Sequence, residues 1–362
     1  MPIYMTRKIK RIKTFIALSI IPQIFLVKLL GSNPHLIETY YSNGFYPKLS
    51  MLYRYIFGWI PFSIGDIFYT LLGILIVRFL LIRGKWFFEH TRAFFRELFV
   101  VVSIAYFVFH LFWGMNYYRQ PISKSMGLSE DYTSQQLYDF TERIVAKSNE
   151  IHLKITQNDS MKVVMPYSKE ETFTMTQNGF DNLARQYPQF TYYPQSVKKS
   201  LYSKMLTYMG YSGYLNPFTH EAQVNGLIHN YKFPTTTCHE IAHQLGYSAE
   251  NEANFVGYLA AVHNEDIYFK YSAYIFVMRY CLGEIRRRDP DKFVEFNTKI
   301  NPGIIKNYIE VSNFWKKYEN VAEPAFKSTY NTFLKANSQK EGMKSYNYVV
   351  ALLVNYYKDR PL

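Results

Sequence analysis

Three long apolar stretches dominate the first third of the chain and set it apart from a more polar remainder. They cover residues 14–30, 67–82 and 98–115. Each is close to the lower limit of about 17 residues for a helix that crosses a hydrocarbon core, and flanking aromatic residues extend all three. The pattern predicts a membrane region with three transmembrane helices over residues 1–120 and a separate domain over residues 121–362.

The polar two thirds of the chain has mostly helical patterns. Apolar spacing predicts helices over residues 133–147 and 196–208, and a Ser-x-x-Glu capping box at residues 168–171 opens another. Residues 211–225 have a strand-like pattern, and four or five further helices are expected after residue 264. The predicted fold is mainly α, with the three membrane helices followed by an α+β domain that contains a small sheet.

The distribution of charge predicts an orientation for the membrane region. Residues 1–115 contain 13 Lys and Arg against four acidic residues, and most of these cations lie in the N-terminal tail and between the second and third apolar stretches. The loop over residues 31–66 contains only two. Because Lys and Arg resist translocation, both basic segments are predicted to be cytoplasmic, and three crossings then place residues 116–362 on the other side.

Two other interpretations of the apolar stretches are less consistent with the sequence. Residues 1–31 resemble a cleaved signal peptide in their basic start and apolar centre, but no A-x-A-like cleavage site follows. Burial of all three stretches inside a large soluble protein would not explain the uneven charge. We therefore favour three uncleaved transmembrane helices, with the lipid bilayer as a partner.

The net charge of +13 raises the question of nucleic-acid binding. Residues 116–362 carry 28 basic and 24 acidic residues, so the polar part of the chain has only a small excess of cations. A nucleic-acid-binding domain concentrates its Lys and Arg on one polar face. We expect no nucleic-acid partner.

Candidate chemistry is concentrated at His239, Glu240 and His243, which form the pattern His-Glu-x-x-His. Two histidines four positions apart on a helix project from the same face, so both imidazoles can bind one metal ion. The glutamate lies beside the open position of that ion, where it can take a proton from water. The pattern predicts Zn²⁺ as the cofactor, His239 and His243 as ligands and Glu240 as the catalytic base.

A third ligand is expected just after the turn at Gly246. Glu250 and Glu252 both lie in the first turn of a helix that starts near Ser248. Either carboxylate can bind zinc, and the one that does not would serve as a favourable charge at the helix N-terminus. The spacing alone leaves both open.

This segment resembles the glutamate zincins (gluzincins), in which the helix after His-Glu-x-x-His supplies a Glu ligand, followed by a small and then a polar residue. Glu250, Ala253 and Asn254 match that pattern, so the resemblance implies Glu250 as the third ligand and Asn254 as a hydrogen-bond partner of a zinc histidine. Many gluzincins have Asp where Asn254 stands, and most have a longer interval after His243. An Asn-Glu pair that is frequent in the family also fits residues 251–252, which keeps Glu252 as the alternate ligand.

Over nearly its full length the chain is similar to a family of uncharacterised bacterial membrane proteins with a zincin-type domain. The segments that carry this resemblance are the three N-terminal apolar helices, PFTHEAQVN and CHEIAHQ…ENEANFVGYLA. The resemblance implies a multi-pass protein of the bacterial inner (cytoplasmic) membrane with its catalytic domain on the extracytoplasmic side. It implies no particular substrate.

Substrate contacts are suggested by the segment just before the metal motif. Residues 216–225 resemble the edge strand on which zincins bind an extended substrate, which makes Glu221 and Asn225 candidate substrate-binding residues. A turn-rich structural loop is the alternative. Tyr346 is a candidate hydroxyl donor to a tetrahedral intermediate.

We expect a membrane-anchored zinc metallopeptidase that hydrolyses a peptide or protein substrate. The alternative is a membrane-anchored binding or assembly factor in which zinc is structural and no catalysis occurs. An open fourth position and an intact Glu240 favour the enzyme, because structural zinc sites usually have four protein ligands. Intramembrane proteolysis would need the motif inside an apolar span, and residues 225–250 are too polar for that.

Overall fold

The computed structural model describes residues 7–337, 339 and 348–362. Three of its helical segments are long and apolar enough to cross a membrane, namely Arg7–Gly31, Ile64–Ile82 and Thr91–Phe112. Most of their large apolar side chains face outward, and Leu81 is 81% exposed. Such a surface suits a hydrocarbon environment and is costly in water. The three apolar helices predicted from the sequence are confirmed, in agreement with membrane association.

The first 120 residues contain more helix than the apolar stretches alone. The helices are α1 (Arg7–Leu18), α2 (Ile20–Gly31), α3 (Pro34–Leu36), α4 (Tyr46–Phe57), α5 (Ile64–Glu89) and α6 (Thr91–Phe112). A π-helical segment, Ile37–Phe45, joins α3 to α4. The loop expected over residues 31–66 is therefore largely helical, because α3 and α4 each accommodate a proline in the first turn, where no hydrogen bond is lost.

The third apolar helix, Thr91–Phe112, begins and ends earlier than the predicted stretch of residues 98–115. It ends at Phe112 rather than at Met115, because Trp113 leaves the helical backbone and Gly114–Tyr118 form a 3₁₀ turn. Gly114, Met115 and Asn116 are buried. The end of the apolar stretch thus packs into the rest of the protein instead of continuing along the span.

The polar part of the chain is predominantly helical, as predicted. Its helices are α7 (Ile122–Ser125), α8 (Ser134–Thr156), α9 (Lys169–Gln186), α10 (Ser203–Met209), α11 (Phe233–Gln244), α12 (Glu250–His263), α13 (Ile267–Arg288), α14 (Pro290–Thr298), α15 (Pro302–Tyr318), α16 (Glu323–Ala336) and α17 (Val349–Tyr356). The capping box at Ser168 and Glu171 is present, and a second one at Thr133 and Gln136 opens α8. Capping therefore fixes where the two long helices begin.

A small sheet of three strands accompanies the helices. The strands β1 (Val197–Lys199), β2 (Gly213–Asn216) and β3 (Glu221–Val224) lie in the order β1-β3-β2, with β3 parallel to β1 and antiparallel to β2. The strand-like pattern over residues 211–225 is confirmed. The helix expected over residues 196–208 is wrong in its first half, because β1 pairs with a strand more than 20 positions later, a contact that local periodicity does not contain.

Helix α11, which carries the His-Glu-x-x-His motif, lies at the centre of the polar part. It packs against β3 and α12, and also against α9 and α13. Its residues Phe233, Ile241 and Ala242 are almost fully buried, as are Phe255 and Leu259 of α12. The motif is thus supported by well-packed elements on several sides.

The amino end of α5 is bonded directly to the sheet. The main-chain N–H groups of Ile64 and Gly65 donate to the buried carboxylate of Glu221 at 3.2 and 2.6 Å. The Asp66 carboxylate accepts from the N–H of Leu201 at 2.7 Å and from the hydroxyl of Tyr214. These bonds satisfy N–H groups that a helix start leaves unpaired, and they hold the second apolar helix against β3.

Candidate metal centre

The turn after the motif helix brings α12 back alongside α11. Gly246 has a φ of +92°, a left-handed conformation that favours glycine. The N–H of Gly246 donates to the carbonyl of His243, and that of Tyr247 donates to the carbonyl of Ala242. This closing of the helix end is typical of glycine-terminated helices and returns the first turn of α12 to the two histidines.

Glu250 lies between the two motif histidines. Its Oε2 atom is 3.3 Å from Nε2 of His239 and 3.5 Å from Nε2 of His243. The Nδ1 atom of His243 is 2.7 Å from the carbonyl oxygen of Tyr247, a contact that directs Nε2 of the same ring toward Glu250. Two imidazole nitrogens and one carboxylate oxygen therefore converge on one point.

Glu240 lies beside this convergence. One potential ligand atom of Glu240 and one of each histidine all lie within 4.8 Å of one another. Within the described residues, no hydrogen-bond partner is present for Nδ1 of His239, Oε2 of Glu240 or Oε2 of Glu250, although all three atoms are buried. Buried polar atoms without partners are costly, so this cluster is suited to hold a further polar group or ion.

The electrostatics of the cluster are dominated by burial and by mutual charge. Burial raises the pKa of Glu240 to about 7, against the opposing effect of the two histidines. Burial alone would raise the pKa of Glu250 as well, but His243 and His239 hold it well below its ordinary value. Burial would lower the pKa of His243, whereas the Glu250 carboxylate raises it to about 9. The pKa values of the two carboxyl groups are thus shifted in opposite directions, that of Glu240 upward and that of Glu250 downward.

Tyr330 is a component of the centre that the sequence did not reveal. Its hydroxyl donates a 2.5 Å hydrogen bond to Oε1 of Glu250, the oxygen that does not face the histidines. Tyr330 lies on α16, 80 positions along the chain. With 34 tyrosines in the sequence, no local signal distinguishes this one.

Asn254 lies one helical turn after Glu250 and lines the same cavity as the histidines. Its hydrogen-bonding partner is the hydroxyl of Tyr280, at 3.5 Å. The implied hydrogen bond from Asn254 to a motif histidine is therefore not formed among the described contacts.

Glu252, the alternate ligand, has a different environment. Its carboxylate accepts a 2.7 Å hydrogen bond from the N–H of Ile122 and lies near the guanidinium of Arg119. Burial raises the pKa of Glu252 to about 7. Among the described contacts of Glu252, none is with a motif histidine. Geometry thus favours Glu250 over Glu252 as the carboxylate of the centre.

Two of the candidate substrate contacts, Glu221 and Asn225, are not brought to the centre. Glu221 lies on the central strand β3 and accepts hydrogen bonds from Ile64 and Gly65, and the amide of Asn225 donates to Thr207 and to the carbonyl of Tyr211. Both side chains are fully buried and neither lines the cavity of the centre. Their polar groups instead form hydrogen bonds within the protein. Tyr346 lies outside the described residues.

Side chains from the first 120 residues hold the end of the motif helix. The indole Nε1 of Trp113 donates to the carbonyl of His243 at 3.2 Å. Tyr46 and Ser50 both donate to the carbonyl of Gln244, at 2.9 and 3.1 Å, and Arg119 donates to the carbonyl of Gly246 at 2.9 Å. The last carbonyls of a helix lack hydrogen-bond donors within the helix. Here side chains from the preceding part of the chain supply those donors.

Comparison with known protein families identifies one match. A family described as "Protein of unknown function (DUF3810)" matches residues 41–354. The chain belongs to this family. No curated protein and no solved structure matches it. The match begins within the π-helical segment and extends into α17, so the family includes the second and third apolar helices together with the metal motif.

A large cavity opens from the centre of this family member. Its volume is about 1370 Å³, and His239, Glu240, His243 and Glu250 form part of its wall. Further parts of the wall come from β2, α10, α16 and one face of α5. The motif residues therefore face a space that extends to the second apolar helix.

The cationic residues that line this cavity are Arg78, Lys232, Arg279 and Lys327. Lys232 precedes α11 and Arg279 lies on α13, and the described residues provide neither with a salt bridge. Burial, with the nearby Arg279 acting in the same direction, lowers the pKa of Lys232 to about 7. Lys232 is therefore charged in only part of the molecules near pH 7.

Proposed function

We propose that the protein is a membrane-anchored zinc metallopeptidase of the zincin type. The observation that carries the proposal is the convergence of Nε2 of His239, Nε2 of His243 and Oε2 of Glu250, with Glu240 beside them. Two imidazoles and one carboxylate form the ligand set of peptidases that keep an open position on zinc.

The residues present fit a zinc ion. Oε2 of Glu250 is buried, lies within 3.5 Å of both histidines and lacks a hydrogen-bond partner among the described residues. His239, His243 and Glu250 would hold the ion, and the hydrogen bond from Tyr330 would orient the carboxylate. When bound, zinc supplies Lewis acidity, which makes water more acidic and polarises a carbonyl group.

The chain's own contribution to hydrolysis centres on Glu240. Its carboxylate takes a proton from the attacking water while the water oxygen bonds to the carbonyl carbon of the peptide. The same proton then passes from Glu240 to the leaving nitrogen as the C–N bond breaks. The products are a carboxylic acid and an amine, and Glu240 has returned to its starting state. The carboxylic acid then loses the second proton of the water to solvent and becomes a carboxylate.

The edge of the sheet supports a peptide as the substrate. Within the described part of the chain, strand β2 pairs only with β3, and the N–H of Asn225 donates to the carbonyl of Ser212. In an antiparallel ladder this pairing turns the main-chain groups of Gly213 and Leu215 away from β3. Both residues line the cavity, so an extended peptide could add to this edge as a further strand. The substrate edge is thus β2, one strand before the position of Glu221.

Gly213 brings this edge very close to the catalytic glutamate. A Cβ atom built at Gly213 would lie 2.4 Å from Oε1 of Glu240. Only glycine allows the strand to approach Glu240 so closely. A peptide paired with β2 would therefore pass beside the proposed base.

The proposal places the centre on the extracytoplasmic side of a bacterial inner membrane. The excess of Lys and Arg in the N-terminal tail and between α5 and α6 supports this orientation. A peptide or protein outside the cytoplasm is then the substrate.

The experiment that tests the peptidase is Glu240→Gln in the full-length protein, with zinc content and hydrolysis measured in parallel. Gln has the same shape as Glu but cannot accept the proton, so the variant should keep its zinc and lose cleavage of a soluble random-sequence peptide library by roughly 100-fold or more. Glu265→Gln, at an exposed position, is the matched control. Equal cleavage by Glu240→Gln and the wild type would instead support the binding or assembly factor with structural zinc.

A further inference from the structure

The cavity of the metal centre continues along one face of the second apolar helix. Tyr69, Gly73, Val77 and Leu81 line it at intervals of four residues, which is the spacing of one helix face. At 1.5 Å per residue, this face is about 18 Å long. Ile64–Ile82 is the part of α5 that is apolar enough to cross a membrane, so most of that span borders the cavity.

The wall at this depth is apolar on both sides. Met205 and Met209 of α10 face the cavity together with Ile74 and Val77 of α5. Val77 is 56% exposed, so its side chain is available for contact. Arg78 is the cation on this face, and it lies four residues before the end of the span, near enough for its guanidinium to reach a membrane interface. A ligand that fills this part of the cavity must be apolar.

The other end of the cavity is suited to a ligand with a peptide backbone. The N–H and C=O groups of Gly213 and Leu215 face it and need complementary acceptors and donors. An acyl chain offers neither, whereas an extended peptide offers both at the right spacing. The volume of about 1370 Å³ also exceeds the roughly 300–1,000 Å³ of typical small-molecule sites.

We propose that the substrate is a polypeptide anchored in the same membrane by a hydrophobic segment. The hydrophobic segment lies against the α5 face from Tyr69 to Leu81, and the adjoining extended segment pairs with β2 and passes the histidines. This inference rests on the proposed peptidase function, since it names the class of substrate for that same centre. Cleavage then occurs outside the span, next to the anchor.

A cross-linking experiment tests the anchor site without requiring turnover. The full-length Glu240→Gln protein is placed in phosphatidylcholine vesicles with a synthetic Leu/Ala helix of about 20 residues, which is long enough to span the bilayer. The helix carries a photoreactive leucine and a polar tail of ten random residues. Cross-links are expected at Ile74, Val77 and Met205. Leu72, on the opposite face of α5, is the matched reference and should be labelled far less.

The competing occupant of the cavity is a lipid acyl chain. A phosphatidylcholine with a photoreactive acyl chain distinguishes it from the peptide helix. Lipid labelling of Val77 that the peptide helix does not displace would overturn the proposal in favour of a lipid-filled cavity. Equal peptide labelling of Val77 and Leu72 would overturn it as well, because the contact would then be that of any neighbour in the bilayer.

Cleavage by the zinc-loaded wild-type protein separates this proposal from the peptidase itself. The same random tail should be cut roughly tenfold or more faster when anchored than when soluble, because anchoring raises its effective concentration at β2. Val77→Trp should lower this ratio, and Leu72→Trp should not. If the anchored and the soluble tail are cut at equal rates and Val77 is not labelled, the proposal of an anchored substrate is refuted, but the proposal of a peptidase stands. Labelling at Val77 without any cutting refutes the peptidase and leaves the anchor site.

Discussion

The indole N–H of Trp113 donates a hydrogen bond to the main-chain carbonyl of His243, at 3.2 Å. The donor belongs to the end of the third apolar stretch, and the acceptor belongs to the second histidine of the metal motif. Both side chains are buried. This hydrogen bond connects the apolar part of the chain to the candidate metal centre, together with bonds from Tyr46, Ser50 and Arg119 to neighbouring carbonyls.

Trp113→Phe should destabilise the protein by about 1–3 kcal/mol, because it leaves a buried carbonyl without its donor. Thermal unfolding of the full-length protein in detergent, with zinc present, measures this loss as a lower Tm. Trp59→Phe is the matched control, since Trp59 is 79% exposed. Equal melting of the two variants would show that the bond to His243 contributes nothing.

A chain that starts at residue 121 should fail to retain zinc with the affinity of the full-length protein. Such a fragment lacks Tyr46, Ser50, Trp113 and Arg119. These side chains bond the main-chain carbonyls of His243, Gln244 and Gly246. Zinc titration of the fragment and of the full-length protein checks this expectation. Equal affinity would mean that α11 holds its end without the membrane region.

The third ligand is tested by a pair of substitutions in one helical turn. Glu250→Ala should weaken zinc binding by about 100-fold or more, because it removes a ligand, whereas Glu252→Ala should leave zinc affinity nearly unchanged. Glu252→Ala should instead lower the free energy of unfolding by about 1–3 kcal/mol, since the N–H of Ile122 loses its acceptor. The reverse pattern would make Glu252 the ligand.

Gly213→Ala should impair hydrolysis while zinc remains bound. The added methyl group would collide with Oε1 of Glu240 and with the carbonyl of Gln223, at 2.4 and 2.6 Å, so either the strand or the base must move. Peptide hydrolysis per bound zinc measures the effect. Gly283→Ala is the control, because nothing lies within 4 Å of a Cβ atom there. Full activity of Gly213→Ala would remove β2 from the proposed substrate site.

Acid should destabilise the protein partly through His220. Its ring is fully buried among Tyr46, Tyr53 and Phe112, and burial lowers its pKa to about 3, with Arg54 adding repulsion. The unfolded chain binds a proton near pH 6.5 and the folded chain does not. Stability is therefore complete above pH 6.5 and falls by about 1.4 kcal/mol per pH unit between pH 6.5 and 3.

His220→Phe removes this titration and keeps an aromatic ring in the same place. The difference in Tm between pH 7.5 and pH 4.5 should be smaller for the variant than for the wild type. An identical difference would show that other groups account for the acid sensitivity.

Orientation is tested by fusing a reporter that is active only outside the cytoplasm. Fusion after residue 120 should give an active reporter, and fusion at residue 88 should not, since Arg78, Arg83 and Lys85 lie near the predicted cytoplasmic end of α5. The opposite pattern would move the metal centre into the cytoplasm.

The features that could be predicted from sequence are those encoded locally. The three apolar helices, the capping box at Ser168 and Glu171, and the helix that carries His239 and His243 each follow from residues within a few turns of one another. Glu250 and Glu252 both follow the glycine turn, and the resemblance to the gluzincin pattern favours Glu250. Its position between the histidines agrees with that expectation.

The features that were missed depend on contacts between distant segments. Tyr330 reaches Glu250 across 80 positions, and Trp113 reaches His243 across 130. Glu221 looked like a surface residue of a strand that could bind substrate. It is buried because the start of α5 needs an acceptor for its N–H groups, a requirement that no local pattern displays.

The bond between Glu221 and the start of α5 also orders events during synthesis. Ile64 and Gly65 leave the ribosome 157 and 156 positions before Glu221. The second apolar helix is therefore complete, and in place to enter the membrane, long before the acceptor for its first N–H groups exists. Its final attachment comes only when β3 has been made and has paired. The nascent chain thus assembles its apolar helices first and joins them to the sheet last.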